Sequence, residues 1–327
     1  MQREYRIDNL RAVAILLVML GHSIIIYDPD WGVAASSVQC LPLLYLKKAI
    51  NVIQMPLFFS ISGFCFCLSS HQGFSKKFLV GKFKRIMIPY LLVCLLYMDP
   101  IKILLNVPGY GLSSGMLLKQ IALFMDNGHL WYLPTLFLMF MATSIMALKV
   151  DDKKLVYMLL PISILANIGS SLVPQYFSLN QFCNFYIYFL GGYFVCLYKN
   201  QVFNKRLSGV ILVVLSMSVC LIFGNHGVIA KVVTLAFSLC AVVGFYGFMT
   251  SRRIGSLQLI SKDSYGLYLF HSPLVYFMYM NYPDANPAIM LAVNFLVCGL
   301  VSFLVIGIIR KLRFELILGE SIPVKKL

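Results

Sequence analysis

Arg11 and His22 lie eleven residues apart in the first apolar stretch, Leu10 to Tyr27, and both are side-chain types that do chemistry. At about 100° per residue the offset is about 1100°, within about 20° of three full turns, with a rise of about 16 Å. Both therefore project from nearly the same face of one helix. An imidazole, with a reference pKa of about 6.5, suits a general base that takes the proton of an attacking hydroxyl, and an acyl-histidine is its covalent variant. A guanidinium pairs bidentately with a phosphate or fixes a carboxylate. Groups of this kind are costly in lipid and normally face a bundle interior, so they mark a functional site. A packing histidine and a snorkelling arginine are the plainer alternatives.

The elements that must hold this pair are membrane helices. Of 327 residues, 60% are hydrophobic and 12% charged, with a mean hydropathy of +0.84, values outside the range of ordinary soluble domains. Apolar runs predict an all-α, polytopic membrane bundle of about ten spans. They fall near 10–27, 49–70, 86–106, 129–149, 155–173, 182–198, 208–224, 228–250, 264–282 and 288–309. With the N-terminus inside, 22 of the 27 Lys and Arg fall in inner segments, leaving Lys47, Lys48, Lys102, Lys119 and Lys231 in or beside outer ones. That bias predicts cytoplasmic N- and C-termini and explains the +15 charge without nucleic acid. The first apolar run lacks a small-residue cleavage site and is expected to stay as the first helix. One membrane domain, residues 1–327, is expected.

Further candidates lie along these spans. Ser62 sits in the Pro56 to Gly63 stretch, where proline and glycine can break a helix and expose backbone to a cavity; it binds substrate or packs as a small residue. His129, Trp131 and Tyr132 open the fourth span on the outer side, either as an interfacial belt or as a sugar-stacking platform. His271, about seven residues into the ninth span, is expected to point inward, as donor-channel support or as packing. Asp99, on the acceptor side at a depth similar to His22, is a candidate to orient the imidazole or to pair with Lys102. Leu112 to Met125 has the length for an interfacial or re-entrant helix. The nine cysteines read as packing residues, and no metal is expected because Cys65-x-Cys67 has no second pair at ligand spacing.

Around the opening pair, the stretch from Tyr5 to Ser23 resembles the first helix of the acyltransferase-3 family of integral-membrane O-acyltransferases, whose signature is R-x10-H. Met55-Pro-Leu-Phe-Phe-Ser-Ile-Ser-Gly-Phe64, Lys82-Phe-Lys-Arg-Ile-Met-Ile-Pro-Tyr90, His129-Leu-Trp-Tyr-Leu133 and Ser264-Tyr-Gly-Leu-Tyr-Leu-Phe-His271 agree in order over nearly the whole chain. The resemblance implies transfer of an acyl group, usually acetyl from acetyl-CoA, to a hydroxyl on a carbohydrate or lipid-linked saccharide. The family's basic R-x-x-R pair stands here as Lys82-x-x-Arg85, which keeps point-charge phosphate binding but loses the bidentate fork at position 82. The plainer reading is that Lys76, Lys77, Lys82, Lys84 and Arg85 only enforce topology. The hydrolase-like domain that some members carry is not expected here.

These features predict an O-acyltransferase, with His22 and Arg11 catalytic, Lys82, Arg85 and His271 on the acyl-CoA side, and Ser62, His129, Trp131 and Asp99 on the acceptor side. The expected acceptor is a cell-envelope saccharide or lipid-linked glycan, and the expected setting a bacterial plasma membrane, with lipid around the protein. The competing reading is a saccharide transporter or export component, since buried ionisable groups also mark transport paths.

Overall fold

The computed structural model describes residues 4–69, 75–111, 113–223 and 227–320. Leu112, residues 70–74 of the basic link and the side chain of Lys76 lie outside them. Among the described residues ten long helices fall on the expected segments: α1 Tyr5–Ser23, α2 Leu41–Ser69, α3 Lys77–Leu104, α4 Gly128–Met146, α5 Asp152–Leu172, α6 Leu179–Leu197, α7 Arg206–Phe223, α8 Gly227–Phe248, α9 Gly255–Asn281 and α10 Pro287–Lys311. Among the described residues there is no strand. Six of these helices, α2, α3, α4, α5, α8 and α10, are long and apolar enough to cross a membrane by length and composition alone. On that criterion six spans are shown among the described residues, fewer than the expected count of about ten. The other four are α1, which carries Arg6, Asp8, Asn9, Arg11 and His22; α6 and α9, which are rich in polar and tyrosine positions; and the shorter α7.

Contacts between distant residues define the two ends of the bundle. At one end the buried guanidinium of Arg6 donates to Tyr246 O at 2.7 Å and Asn204 Oδ1 at 2.6 Å, lying 4.1 Å from the Phe203 ring centroid. Nearby, Asn9 Nδ2 donates to Thr250 O and Arg252 O. At the opposite end, Asp284 accepts from Ser37 N at 2.7 Å and ties the loop after α1 to the loop after α9. That Ser37 N–H holds the exposed Asp284 carboxyl below its ordinary range.

α2 and α6 cross at backbone distance. A Cβ on Gly63 would stand 1.8 Å from Phe189 O, and one on Gly192 1.8 Å from Ser60 O. Small residues that let backbones touch are what membrane helices use in place of a hydrophobic driving force. The helix break expected between Pro56 and Gly63 does not form, because α2 runs continuously through Pro56 and Gly63 is spent on this crossing.

Prolines elsewhere shape the interior. α3 has two π-helical stretches, Phe83–Met87 and Cys94–Met98, each just before a proline, Pro89 and Pro100. A proline ring clashes with the carbonyl four residues back and removes its donor, which a π-turn relieves. The carbonyl set free by Pro89 is that of Arg85, and Tyr265 of α9 donates its hydroxyl to it at 3.0 Å. Within Leu112 to Met125, read as an interfacial or re-entrant helix or as a surface loop, a short helix forms, α over Ser114–Leu117 and π over Leu118–Ala122.

Candidate active site

α1 and α9 pack side by side and bring His22 onto His271. His22 Nδ1 lies 2.8 Å from His271 Nε2, the rings stacked at 5.1 Å between centroids and 13° between planes. His271 Nδ1 lies 2.6 Å from Leu267 O. A carbonyl only accepts, so His271 carries its proton on Nδ1 and presents a bare Nε2. His22 must then donate from Nδ1, which leaves the lone pair on its Nε2, an atom without a hydrogen-bond partner among the described residues. The network therefore sets His22 in the tautomer a base needs.

His129 completes a cluster of three rings, 6.4 Å from His22 and 6.0 Å from His271. Its Nε2 donates to Leu269 O at 3.1 Å, the carbonyl that Pro273 strips of its helical donor. The hydroxyl of Tyr268 donates to His129 O, and that of Tyr279 to His22 O. Two backbone carbonyls of histidine-bearing turns are thus held by tyrosines of α9.

Towards the Arg11 end, a cavity of about 540 Å³ opens among α1, α2, α3, α4, α9 and the segment after α10. Arg11, Lys82, Arg85 and Lys262 line it, against the single carboxylate of Glu320. The guanidinium of Arg11 is 3.5 Å from Asp8 and donates to Cys65 Sγ at 3.6 Å, so its donors are not consumed by a bidentate pair. The ammonium of Lys82 sits 3.8 Å from the Phe140 ring centroid. Ser62 lines the same cavity and shares a 2.9 Å hydrogen bond with the hydroxyl of Tyr132. The Tyr132 and Tyr268 rings, 5.5 Å apart, also line it, and Tyr268 stands 5.6 Å from His129. A two-tyrosine wall therefore separates the cationic cavity from the histidine cluster. Arg310 bridges Asp263 and Glu320, each at 2.6 Å, and so fixes the segment that brings Gly319 and Glu320 to the cavity rim.

The structure brings Arg11, Ser62, Lys82 and Arg85 together around one cavity and gathers His22, His129 and His271 behind it. His271 does not line the cavity: it sits against His22, where α9 packs on α1. The pairing of Asp99 with His22 inferred from depth does not occur. Asp99 accepts from Gln120 Nε2 at 3.1 Å and from the Cys94 thiol at 3.8 Å, while His22 spends its Nδ1 on His271. Lys102 does not pair with Asp99 either; it donates to Tyr110 at 2.8 Å and lies over the Tyr110 and Tyr276 rings. His129 and Trp131 are not an interfacial belt, because His129 is buried and Trp131 packs on Phe59 and Phe185. Tyr132 reads in the sequence as an outer aromatic group beside Trp131, whereas Tyr265 and Tyr268 carry no role from the sequence. The clue available was the tyrosines spaced by three on either side of His271, Tyr265 and Tyr268 before it and Tyr276 and Tyr279 after it, together with Pro273, which frees a carbonyl for His129.

Histidines gathered in the interior beside an open, cation-lined cavity within a bundle of apolar helices define an integral membrane protein equipped for acid–base and anion-binding chemistry. The chain belongs to the acyltransferase-3 family: its residues 4–311 match that family's acyltransferase domain, which makes it a membrane acyltransferase. No curated protein and no solved structure matches it.

Proposed function

We propose that the protein is an O-acyltransferase that moves an acetyl group from acetyl-CoA, or another acyl from its CoA thioester, to a hydroxyl of a cell-envelope saccharide or lipid-linked glycan. The observation that carries this reading is the His22–His271 hydrogen bond, which leaves His22 Nε2 as a lone-pair base. The cationic cavity supports it, since Arg11, Lys82, Arg85 and Lys262 suit the phosphates of CoA. The pantetheine arm would pass the Tyr132 and Tyr268 wall to reach the histidines.

In the reaction, His22 Nε2 takes the acceptor's hydroxyl proton as its oxygen attacks the thioester carbonyl. The carbon–oxygen bond forms, the carbon–sulfur bond breaks, and the proton passes from His22 to the departing sulfur. Positive charge on His22 in the intermediate is shared through Nδ1–H with His271, in the place a carboxylate takes in other relays. The basic inner segments support a setting in a bacterial plasma membrane with cytoplasmic termini, so that donor phosphates meet Arg11 and Lys82 where CoA is available. Mass spectrometry of envelope glycans from strains with and without the gene tests the reading. An acyl mass increment that depends on His22 is expected; unaltered glycans alongside altered export would replace it with the transporter.

A further inference from the structure

A second cavity, of about 510 Å³, lies among α2, α5, α6 and α8 at the end of the bundle opposite Arg11. Asn51, Asn167, Asn184, Lys231, Phe185 and Tyr188 line it. Three amides, an ammonium and two aromatic rings are the groups that recognise a polyhydroxylated ring. Asn51 stands about 15 Å along α2 from Leu41 and is nonetheless exposed, so polar surface reaches deep into the bundle here.

Lys231 lines this cavity with no carboxylate among the lining residues, whereas Lys47 stands behind it, bonded to its Asn51 and within the field of Asp28. Lys231 Nζ donates to Ser170 Oγ at 2.6 Å, a neutral partner. Lys47, 3% exposed, donates to Asn51 Oδ1 at 2.6 Å. Ion pairs among the described residues use Arg11, Lys119, Lys154 and Arg310, not these lysines. Gly227, the first residue of the 22-residue α8, also lines the cavity, so the positive end of a helix dipole adds to the field. A half-buried cation without a counter-charge is costly, and an anion brought by a ligand offsets that cost.

Gln54 links the cavity to the histidines. Asn51 Oδ1 accepts from both Lys47 Nζ and Gln54 Nε2, the latter at 2.9 Å, which fixes the orientation of the Gln54 amide. Its Oε1 is buried, without a donor, and 2.6 Å from where a Cβ on Gly21 would stand, one residue before His22.

We propose that this cavity is the acceptor site and that the acceptor is an acidic saccharide, one carrying a carboxylate or a phosphate. Lys231 and the α8 N-terminus receive the acid group and the asparagines receive hydroxyls, with Asn51 tied through Gln54 to the turn of α1 that carries His22. This rests on the transferase reading and deepens it by naming the substrate class.

The test is binding without any acyl donor, to the purified full chain in nanodiscs of zwitterionic lipid. The probes are a glucuronate-containing trisaccharide, its methyl ester and glycerol 1-phosphate, the last standing for a phospholipid headgroup. The acid is expected to bind about tenfold or more tighter than the ester. Lys231→Gln should remove that preference while keeping ester binding, which also reports that the variant is folded, and Lys231→Arg should retain it. Equal affinity for acid and ester, no binding of the acid, or a preference for glycerol 1-phosphate over the acidic sugar would overturn the proposal. Acid-selective binding with no acyl transfer from any CoA thioester would leave this site standing and remove the transferase reading instead.

Discussion

His22 Nδ1 and His271 Nε2, 249 residues apart in the chain, lie 2.8 Å apart in the bundle, and the Leu267 carbonyl behind His271 decides which of the four ring nitrogens carry protons. If His271 acts by holding that tautomer, His271→Ala should lower kcat by about ten- to a hundredfold with little change in donor KM. His271→Gln should recover part of the loss, because an amide oxygen can accept from His22 Nδ1. A rise in donor KM with unchanged kcat would return His271 to the donor channel.

His22→Ala removes the base itself. A loss of about 10² to 10⁴ in kcat is expected, with normal insertion and abundance, since His22 is partly buried at one end of α1 while the helix is held by the contacts of Arg6 and Asn9 at the other. Activity near wild type in a variant of normal abundance rules out His22 as the base.

Arg11→Lys keeps the charge and loses the fork. Donor affinity measured on purified protein should fall by about tenfold if a phosphate is held bidentately. Lys82→Arg should be tolerated or beneficial, because the larger cation keeps the contact with the Phe140 ring and gains a planar donor set. Equal donor affinity for Arg11→Lys and wild type reduces Arg11 to a topological charge.

The helical character of the apolar segments was legible, and so was the placing of Arg11 and His22 on one helix, because both rest on the local sequence, and α1 runs unbroken from Tyr5 to Ser23. What was not legible came from contacts between helices. His271 could be placed at a depth but not against His22, and Asp99 matched His22 in depth while facing Gln120 and Cys94. Depth is one coordinate; a pair needs also the rotation of each helix about its axis. That rotation is set by contacts such as Gly63 on Phe189 and Tyr265 on the Arg85 carbonyl, for which no single-helix pattern stands.

The α2–α6 crossing makes a prediction about stability. Alanine at Gly63 places a methyl group 1.8 Å from a backbone oxygen, which only separation of the helices can relieve. Gly63→Ala should cost about 1–3 kcal/mol or more, seen as a lower melting temperature in detergent, whereas Gly191→Ala, whose nearest neighbour is a leucine methyl at 3.7 Å, should be close to neutral. Equal thermal stability of the two variants would show that the helices do not meet at backbone distance.

Sidedness decides whether donor and acceptor can approach from opposite faces. The loop between α4 and α5 lies at the Arg11 end, and the loop after α1 at the other. Trp131, packed against Phe59 and Phe185, is a poor reporter, whereas Asp30 and Lys153 are exposed at opposite ends. Single cysteines at these two positions, in a chain whose nine native cysteines are replaced, can be labelled in intact cells with an impermeant thiol reagent. The cysteine replacing Asp30 should react in intact cells and the one replacing Lys153 only after permeabilisation. That pattern would put the cavity of Arg11, Lys82 and Arg85 on the side where CoA is made, and leave the Lys231 cavity open to an external glycan. The reverse pattern would invert the bundle and separate the cationic cavity from any supply of CoA, removing the donor role from those residues.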